Sequence, residues 1–237
     1  MLHGTASPSI GIVSCSAEGA ALCYRTICAE GEVEFGPHGH PEIMLHGHSL
    51  AAYVACLDAG DWAGVAALML SSAAKLAAAG ATFLICPDNT IHQAMPWVLP
   101  RSPRPWLHIA EVVAAEAEAE RRGYRRLGVT GTHWLVAGDV YPQALATRGL
   151  DYRRPSDAEQ AEVGRLIMDE LVRGRVTPEA LAYCQGVVAR MAAAGCDAVI
   201  LGCTELPLLL NDGNSPLPIL DSTRLLARAA LRRARER

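Results

Sequence analysis

Two short polar triplets hold the residue types that proton-transfer chemistry uses, Asp88-Asn89-Thr90 and Cys203-Thr204-Glu205. A carboxylate and a thiol on opposite sides of one carbon can remove a proton from one face and return it to the other. An internal echo pairs the triplets, because Ala77-Ala78-Ala79-Gly80 recurs as Ala192-Ala193-Ala194-Gly195, each followed by a short apolar run and a polar turn. The offset, 195 − 80 = 115, carries Asp88 onto Cys203. Gly11-Ile12-Val13-Ser14 echoes in Gly128-Val129-Thr130-Gly131 at nearly the same separation.

The elements that must position these groups are legible as short apolar runs alternating with longer Ala/Leu-rich helical text, the pattern of βα units around a parallel sheet. Strands are expected at Ile10–Val13, Glu42–Leu45, Thr82–Cys86, Arg126–Val129 and Ala198–Leu201, and helices at Ala17–Glu30, Trp62–Ala79, Ile109–Arg122, Ala158–Val172 and Pro178–Ala194. Gly80, Gly123, Gly174 and Gly195 stand where helices stop. Thr177 and Pro178 make a good start for the last of them. Both triplets then follow strands, and in open α/β sheets ligands bind beyond the carboxyl ends of strands.

Abstracting an α-proton builds negative charge on the substrate, which hydroxyls and turn N–H groups can stabilise. Ser14, Ser16, Asn89, Thr90, Thr132 and Thr204 are the candidates, and ordinary helix capping explains each of them equally well. Cys203 needs its thiolate form, which a helix N-terminus favours and burial opposes. Asp88 starts as a weaker base, at about 3.9, and needs desolvation or nearby negative charge to rise. Cys86, His92 and Glu205 are auxiliary candidates for supplying or relaying a proton.

Other classes are poorly supported. The 237 residues are 51% hydrophobic and 19% charged with a formal net charge of −4, which gives no electrostatic case for nucleic acid. The arginines from Arg228 to Arg237 read as solvated last turns of a helix. No apolar stretch approaches the roughly 20 residues of a membrane span and no charged segment followed by an apolar one opens the chain, so a cytoplasmic protein is expected. The eight cysteines lack paired C-x-x-C spacing and are expected as reduced thiols. His38, His40, His46 and His48 lie in a glycine-containing stretch and read as loop and strand-end histidines rather than metal ligands. Pyridoxal chemistry is not expected, since the one lysine, Lys75, falls inside an Ala-rich helix away from every candidate turn.

At these residues the chain resembles the aspartate/glutamate racemase superfamily, which also holds hydantoin racemases, maleate isomerases and arylmalonate decarboxylases. Gly202-Cys203-Thr204-Glu205-Leu206-Pro207 is similar to its G-C-T-E-[IL]-P signature, and Gly11-Ile12-Val13 with Ser16, Glu18 and Tyr24-Arg25 is similar to its first strand and helix. Gly131-Thr132 with Tyr141, His108-Ile109-Ala110 and Asp221-Ser222-Thr223 fit as well. The departure lies where the family reads C-N-T-x-H and this chain reads Asp88-Asn89-Thr90-Ile91-His92. Cys86 lies two residues upstream as the other candidate for the missing thiol.

The resemblance implies an α/β fold of two similar flavodoxin-like, doubly wound parallel-sheet halves related by a pseudo-two-fold, with the active site in the cleft between them. The expected halves are residues 1–105 with 220–237, and 106–219. It further implies a cofactor-independent amino-acid racemase or epimerase using an atypical Asp88/Cys203 pair, with a one-cysteine decarboxylase or a cis–trans isomerase as the alternative. A small amino-acid or carboxylate substrate, a homodimer, and Arg173 as the basic group toward a distal carboxylate complete the expectation. Arg25 is a weaker candidate for that basic group, better read as a surface ion-pair former. The arginine expected around Leu50–Ala52 for aspartate has no match.

Overall fold

The structure is a computed structural model that describes residues 8–118 and 123–236. The chain forms two compact units, one of Met1–Pro87, Ala94–His108 and Leu226–Arg237, the other of Asp88–Gln93 and Ile109–Leu225.

The first unit holds a four-stranded parallel sheet of β1 (Ile10–Ser14), β2 (Ile43–Gly47), β3 (Phe83–Ile85) and β4 (Trp106–Leu107), in the order β2-β1-β3-β4. The second holds β5 (Arg126–Thr130), β6 (Asp151–Arg153), β7 (Ala198–Leu201) and β8 (Ile219–Asp221), in the order β6-β5-β7-β8, again all parallel. The two orders are the same, as the internal echo predicts. Parallel neighbours need long crossovers, and helices supply them. Ala17–Glu30 and Trp62–Ala78 do so in the first unit, and Pro178–Ala193 does so in the second.

The side-chain alternation of β7 shows why the second sheet is doubly wound. Val199 and Leu201 pack with Val163, Leu166, Val187 and Met191 from the helices that run from Asp157 to Ala193. Ala198 and Ile200 pack with Val113, Ala114, Tyr141 and Leu145 from the helices Ile109–Glu118 and Val140–Ala146. Both faces are therefore covered, which a strand of continuous apolar text requires. The two echoed glycines share a job: Gly80 at φ +110° and Gly195 at φ +84° end their helices in conformations that a side chain would strain.

Several expected boundaries move. The second strand lies at Ile43–Gly47 rather than Glu42–Leu45, because its pairing with β1 runs on through His46 and Gly47, opposite Val13 and Ser14. The helix expected over Ala158–Val172 is instead α-helix only for Asp157–Arg165, then a π turn at Leu166–Glu170 and a 3-10 turn at Leu171–Arg173. A π turn stacks residues five apart. Arg165 and Glu170, at that spacing, form an ion pair at 3.0 Å. The helix from Ile109 is described to Glu118, and the rest of the expected span, residues 119–122, lies outside the described residues.

The arginine-rich end is the helix Ser222–Arg235, and it is less solvated than expected. Arg228 pairs with Glu30 at 2.7 Å and Arg235 with Glu34 at 2.6 Å, both within the first unit. Among the described residues no helix is long and apolar enough to cross a membrane. All eight cysteines are thiols.

Candidate active site

The second unit assembles the candidate chemistry around the carboxyl ends of β5 and β7. Cys203 and Thr204 follow β7, and close approach sets their turn: a side chain on Gly202 would lie 2.6 Å from the Thr130 carbonyl oxygen and 2.4 Å from Leu135 Cδ2. Glycine there lets the Gly202 N–H donate to that same carbonyl at 2.9 Å. Glu205 curls back over the turn. It is 4% exposed, and its Oε2 accepts from Cys203 Sγ at 2.9 Å and from Thr204 Oγ1 at 2.8 Å.

Burial first, and then the Glu205 carboxylate, hold the Cys203 thiol well above the usual cysteine range. The Asp88 carboxylate acts on Cys203 in the same direction. The sequence-derived pair is therefore brought within electrostatic reach inside one unit, with the thiol protonated at neutral pH. Asp88 is half-buried, and its Oδ1 accepts from the Ile91 N–H at 3.3 Å, opening the 3-10 turn Thr90–Ala94. Asp88 thus caps that turn, and its charge acts on the thiol.

A buried chain of hydrogen bonds places the Asp88 segment. Tyr141 donates its hydroxyl to Asn89 Oδ1 at 2.6 Å, Asn89 Nδ2 donates to Ser222 Oγ at 2.9 Å, and Ser222 donates to the Leu201 carbonyl at 2.8 Å. Leu201 stands two residues before Cys203, so the chain ties one candidate group to the turn that carries the other. Burial pushes the Tyr141 hydroxyl upward and keeps it a neutral donor. Thr90 and Thr132 hydroxyls meet at 3.1 Å, and Thr132 also caps the helix His133–Ala137 through the Leu135 N–H. His92, 2% exposed, accepts the Ile109 N–H at Nδ1, so a neutral ring carries its proton on Nε2.

The remaining candidates do more ordinary work. Ser14 and Ser16 belong to the first unit, where Ser14 Oγ donates to the Ser16 carbonyl and Ser16 caps Ala17–Glu30 through the Gly19 N–H. Cys86 is fully buried, also in the first unit. Arg173 is exposed in its 3-10 turn, and the charges that act on Cys203 are those of Glu205 and Asp88. Lys75 reaches His46 Nε2 at 3.0 Å, and His46 Nδ1 meets Ser72 Oγ at 2.9 Å. Among the described residues no cluster of three or more His, Cys, Asp or Glu side chains could hold a metal ion.

Sequence reasoning recognised Tyr141 and Ser222 only as marks of resemblance and did not place them in the site. No spacing rule could have, since they lie 52 and 133 residues from Asn89.

Comparison with known proteins agrees with the fold described above. A crystal structure of an Asp/Glu racemase candidate from Yersinia pestis superposes with a TM-score of 0.87 at 27% identity, covering 96% of this chain and 99% of that one. The protein encoded in the pnlA 3′ region of Pectobacterium carotovorum is 34% identical over 102 residues, 41% of this chain. The broad specificity amino-acid racemase RacX of Bacillus subtilis is 24% identical over 166 residues, 69% of this chain. The matched stretches span 65% and 69% of those two relatives' own lengths. The Asp/Glu/hydantoin racemase family matches residues 8–230, nearly the whole sequence, and this chain belongs to it.

Proposed function

We propose that the protein is a cofactor-independent amino-acid racemase or epimerase in which Cys203 and Asp88 serve opposite faces of the substrate Cα. The observation that carries this reading is the buried Cys203–Glu205 contact at 2.9 Å with Asp88 acting on the same sulfur. Passing the thiol proton to Glu205 creates a thiolate beside a neutral acid, so no net charge is added to the buried site. The thiolate takes the α-proton, and the charge that grows on the substrate carboxylate is met by hydroxyls and turn N–H groups. Asp88, protonated for one direction and ionised for the other, handles the second face. Its partial exposure favours it over the fully buried Cys86 for that role.

Unequal rates from the two enantiomers follow, because a carboxylate and a thiol differ in basicity. Independence of pyridoxal, which rests on the place of Lys75, a cytoplasmic location, and a homodimeric state, which rests on the resemblance, belong to the same proposal. The second reading, a single-thiol decarboxylase of α-disubstituted malonates, is favoured by the one departure from the family pattern, Asp88 in place of cysteine.

The test is incubation with pools of L- and D-amino acids in deuterium oxide, scoring Cα exchange by mass spectrometry, alongside carbon dioxide release from substituted malonates. Exchange supports the racemase, and carbon dioxide release without exchange selects the decarboxylase. Asp88→Asn removes the carboxylate at nearly constant shape and should uncouple the two outcomes, with exchange from one enantiomer persisting while interconversion falls. Undiminished interconversion in Asp88→Asn would show that the second proton comes from elsewhere.

A further inference from the structure

A groove of about 300 Å³ opens between β4, the end strand of its sheet, and the last helix. Every residue lining it belongs to the first unit, whereas Asp88, Cys203 and Glu205 belong to the second. Ala229, Arg232, Arg233 and Glu236 line one side, at the i, i+3, i+4 and i+7 spacing of a single helix face. Phe83, 3% exposed, and Trp106 line the other. Trp106 Nε1 donates to Ser102 Oγ at 2.7 Å, which holds the indole in place, and among the described residues no guanidinium lies over its ring. Other arginines of this helix are engaged: Arg224 with Asp221, Arg228 with Glu30, Arg233 with Glu236 and Arg235 with Glu34. Arg232 has no carboxylate partner among the described residues.

We propose that this groove is a second ligand site, for a small monoanion with a flat apolar body and one carboxylate, the body against Trp106 and Phe83 and the carboxylate on Arg232. It does not depend on the racemase reading, with which it shares no residue. A guanidinium without an ion-pair partner keeps its planar fork of donors available, and a carboxylate accepts two of them at once. An indole already held in place offers an aromatic face at little further ordering cost. The volume lies at the lower end of the roughly 300–1,000 Å³ of ligand pockets, which sets the size. Charge sets the class. Arg232, Arg233 and Glu236 together carry a net +1, which one carboxylate balances, whereas a phosphate dianion leaves excess negative charge in a groove that Glu236 also lines.

The experiment is titration calorimetry on the full chain at pH 8 with three probes of one flat body: 2-naphthoate, 2-naphthamide and 2-naphthyl phosphate. The expected result is binding of naphthoate, with the uncharged amide at least about 5-fold weaker and the phosphate no tighter than naphthoate. Arg232→Ala should weaken naphthoate about 5-fold and leave the amide unchanged. Glu236→Gln removes the one negative charge of the groove and should tighten naphthoate. Arg232 and Glu236 are exposed, so both variants should fold, which their melting by circular dichroism checks. Naphthoate bound equally well by Arg232→Ala overturns the proposal by placing the anion elsewhere on the chain. Equal affinity for naphthoate and its amide overturns the role of charge, tighter binding of the phosphate overturns the choice of a monoanion, and binding of none of the three overturns the site.

Discussion

Replacing Tyr141 with phenylalanine tests the buried chain that places Asp88. The hydroxyl donates to Asn89 Oδ1 at 2.6 Å, and both residues are at most 2% exposed, so water cannot replace the lost donor without opening the site. Leaving a buried carbonyl oxygen unsatisfied costs about 1–3 kcal/mol. The void left by one oxygen adds only about 0.2–0.3 kcal/mol at about 24 cal/mol per Å³. For a chain of this size each kcal/mol moves the melting temperature by about 2–4 °C, so Tyr141→Phe should melt about 2–12 °C lower. The functional effect should exceed the stability effect, because loosening Asn89 lets Asp88 drift, and a displacement near 1 Å can cost about 100-fold in rate. Thermal unfolding by circular dichroism and Cα deuterium exchange measure the two. In the double variant with Asn89→Ala, the losses should be less than additive, since the two changes share one hydrogen bond. A melting temperature within 1 °C of the parent, with exchange unchanged, would refute the idea that this chain positions the site.

The other expectations concern the thiols and the turn. Iodoacetamide should alkylate Cys203 slowly at neutral pH and faster as pH rises, and Glu205→Gln, by removing the adjacent negative charge, should shift that rate profile to lower pH, read by peptide mass spectrometry. Burial raises Cys184 to about 11 and Cys203 well above its ordinary range, so the folded state holds protons that the unfolded chain releases from about pH 8.5. Their contribution to stability is full below about pH 8.5 and is lost as pH rises toward 11, about 3 kcal/mol for Cys184 alone, which denaturant unfolding at pH 8 and pH 11 will measure. Gly202→Ala forces the Thr130 carbonyl or Leu135 aside, so it should cost about 1–3 kcal/mol in denaturant titration and slow exchange at Cys203.

The sequence carries the long elements well and the short ones poorly, for physical reasons. Ala17–Glu30 is found at its expected bounds because Ser16 caps it and its apolar spacing is helical. Pro178–Ala193 falls one residue short of its expected end, with Thr177 capping it through the Ala180 N–H. By contrast β4 has two residues and β8 three, too few for any alternation to register. The three residues of β6, Asp151–Arg153, are an edge strand of polar and charged text that reads as loop. The helix Leu50–Asp58 has an almost wholly apolar sequence without a polar face to mark its period. In the site, the triplets were visible because composition and the 115-residue echo flagged them. Partners made by folding were not, and Tyr141, Ser222 and the Cys203–Glu205 contact needed coordinates.

The segment Asp88–Gln93 packs with Ile109–Leu225 although the chain on both sides of it, Met1–Pro87 and Ala94–His108, packs in the other unit. A gene cut after residue 108 would therefore not release two self-sufficient products. The downstream fragment would carry Cys203, Tyr141 and Ser222 but would lack the six residues that fill Asn89's place between them. The upstream fragment would carry Asp88 with nothing to anchor it, and would also miss the last helix from Leu226 onward. The two halves that the internal echo suggests were once alike are thus no longer separable as polypeptides, and any history of duplication must include an exchange of chain that made each half depend on the other.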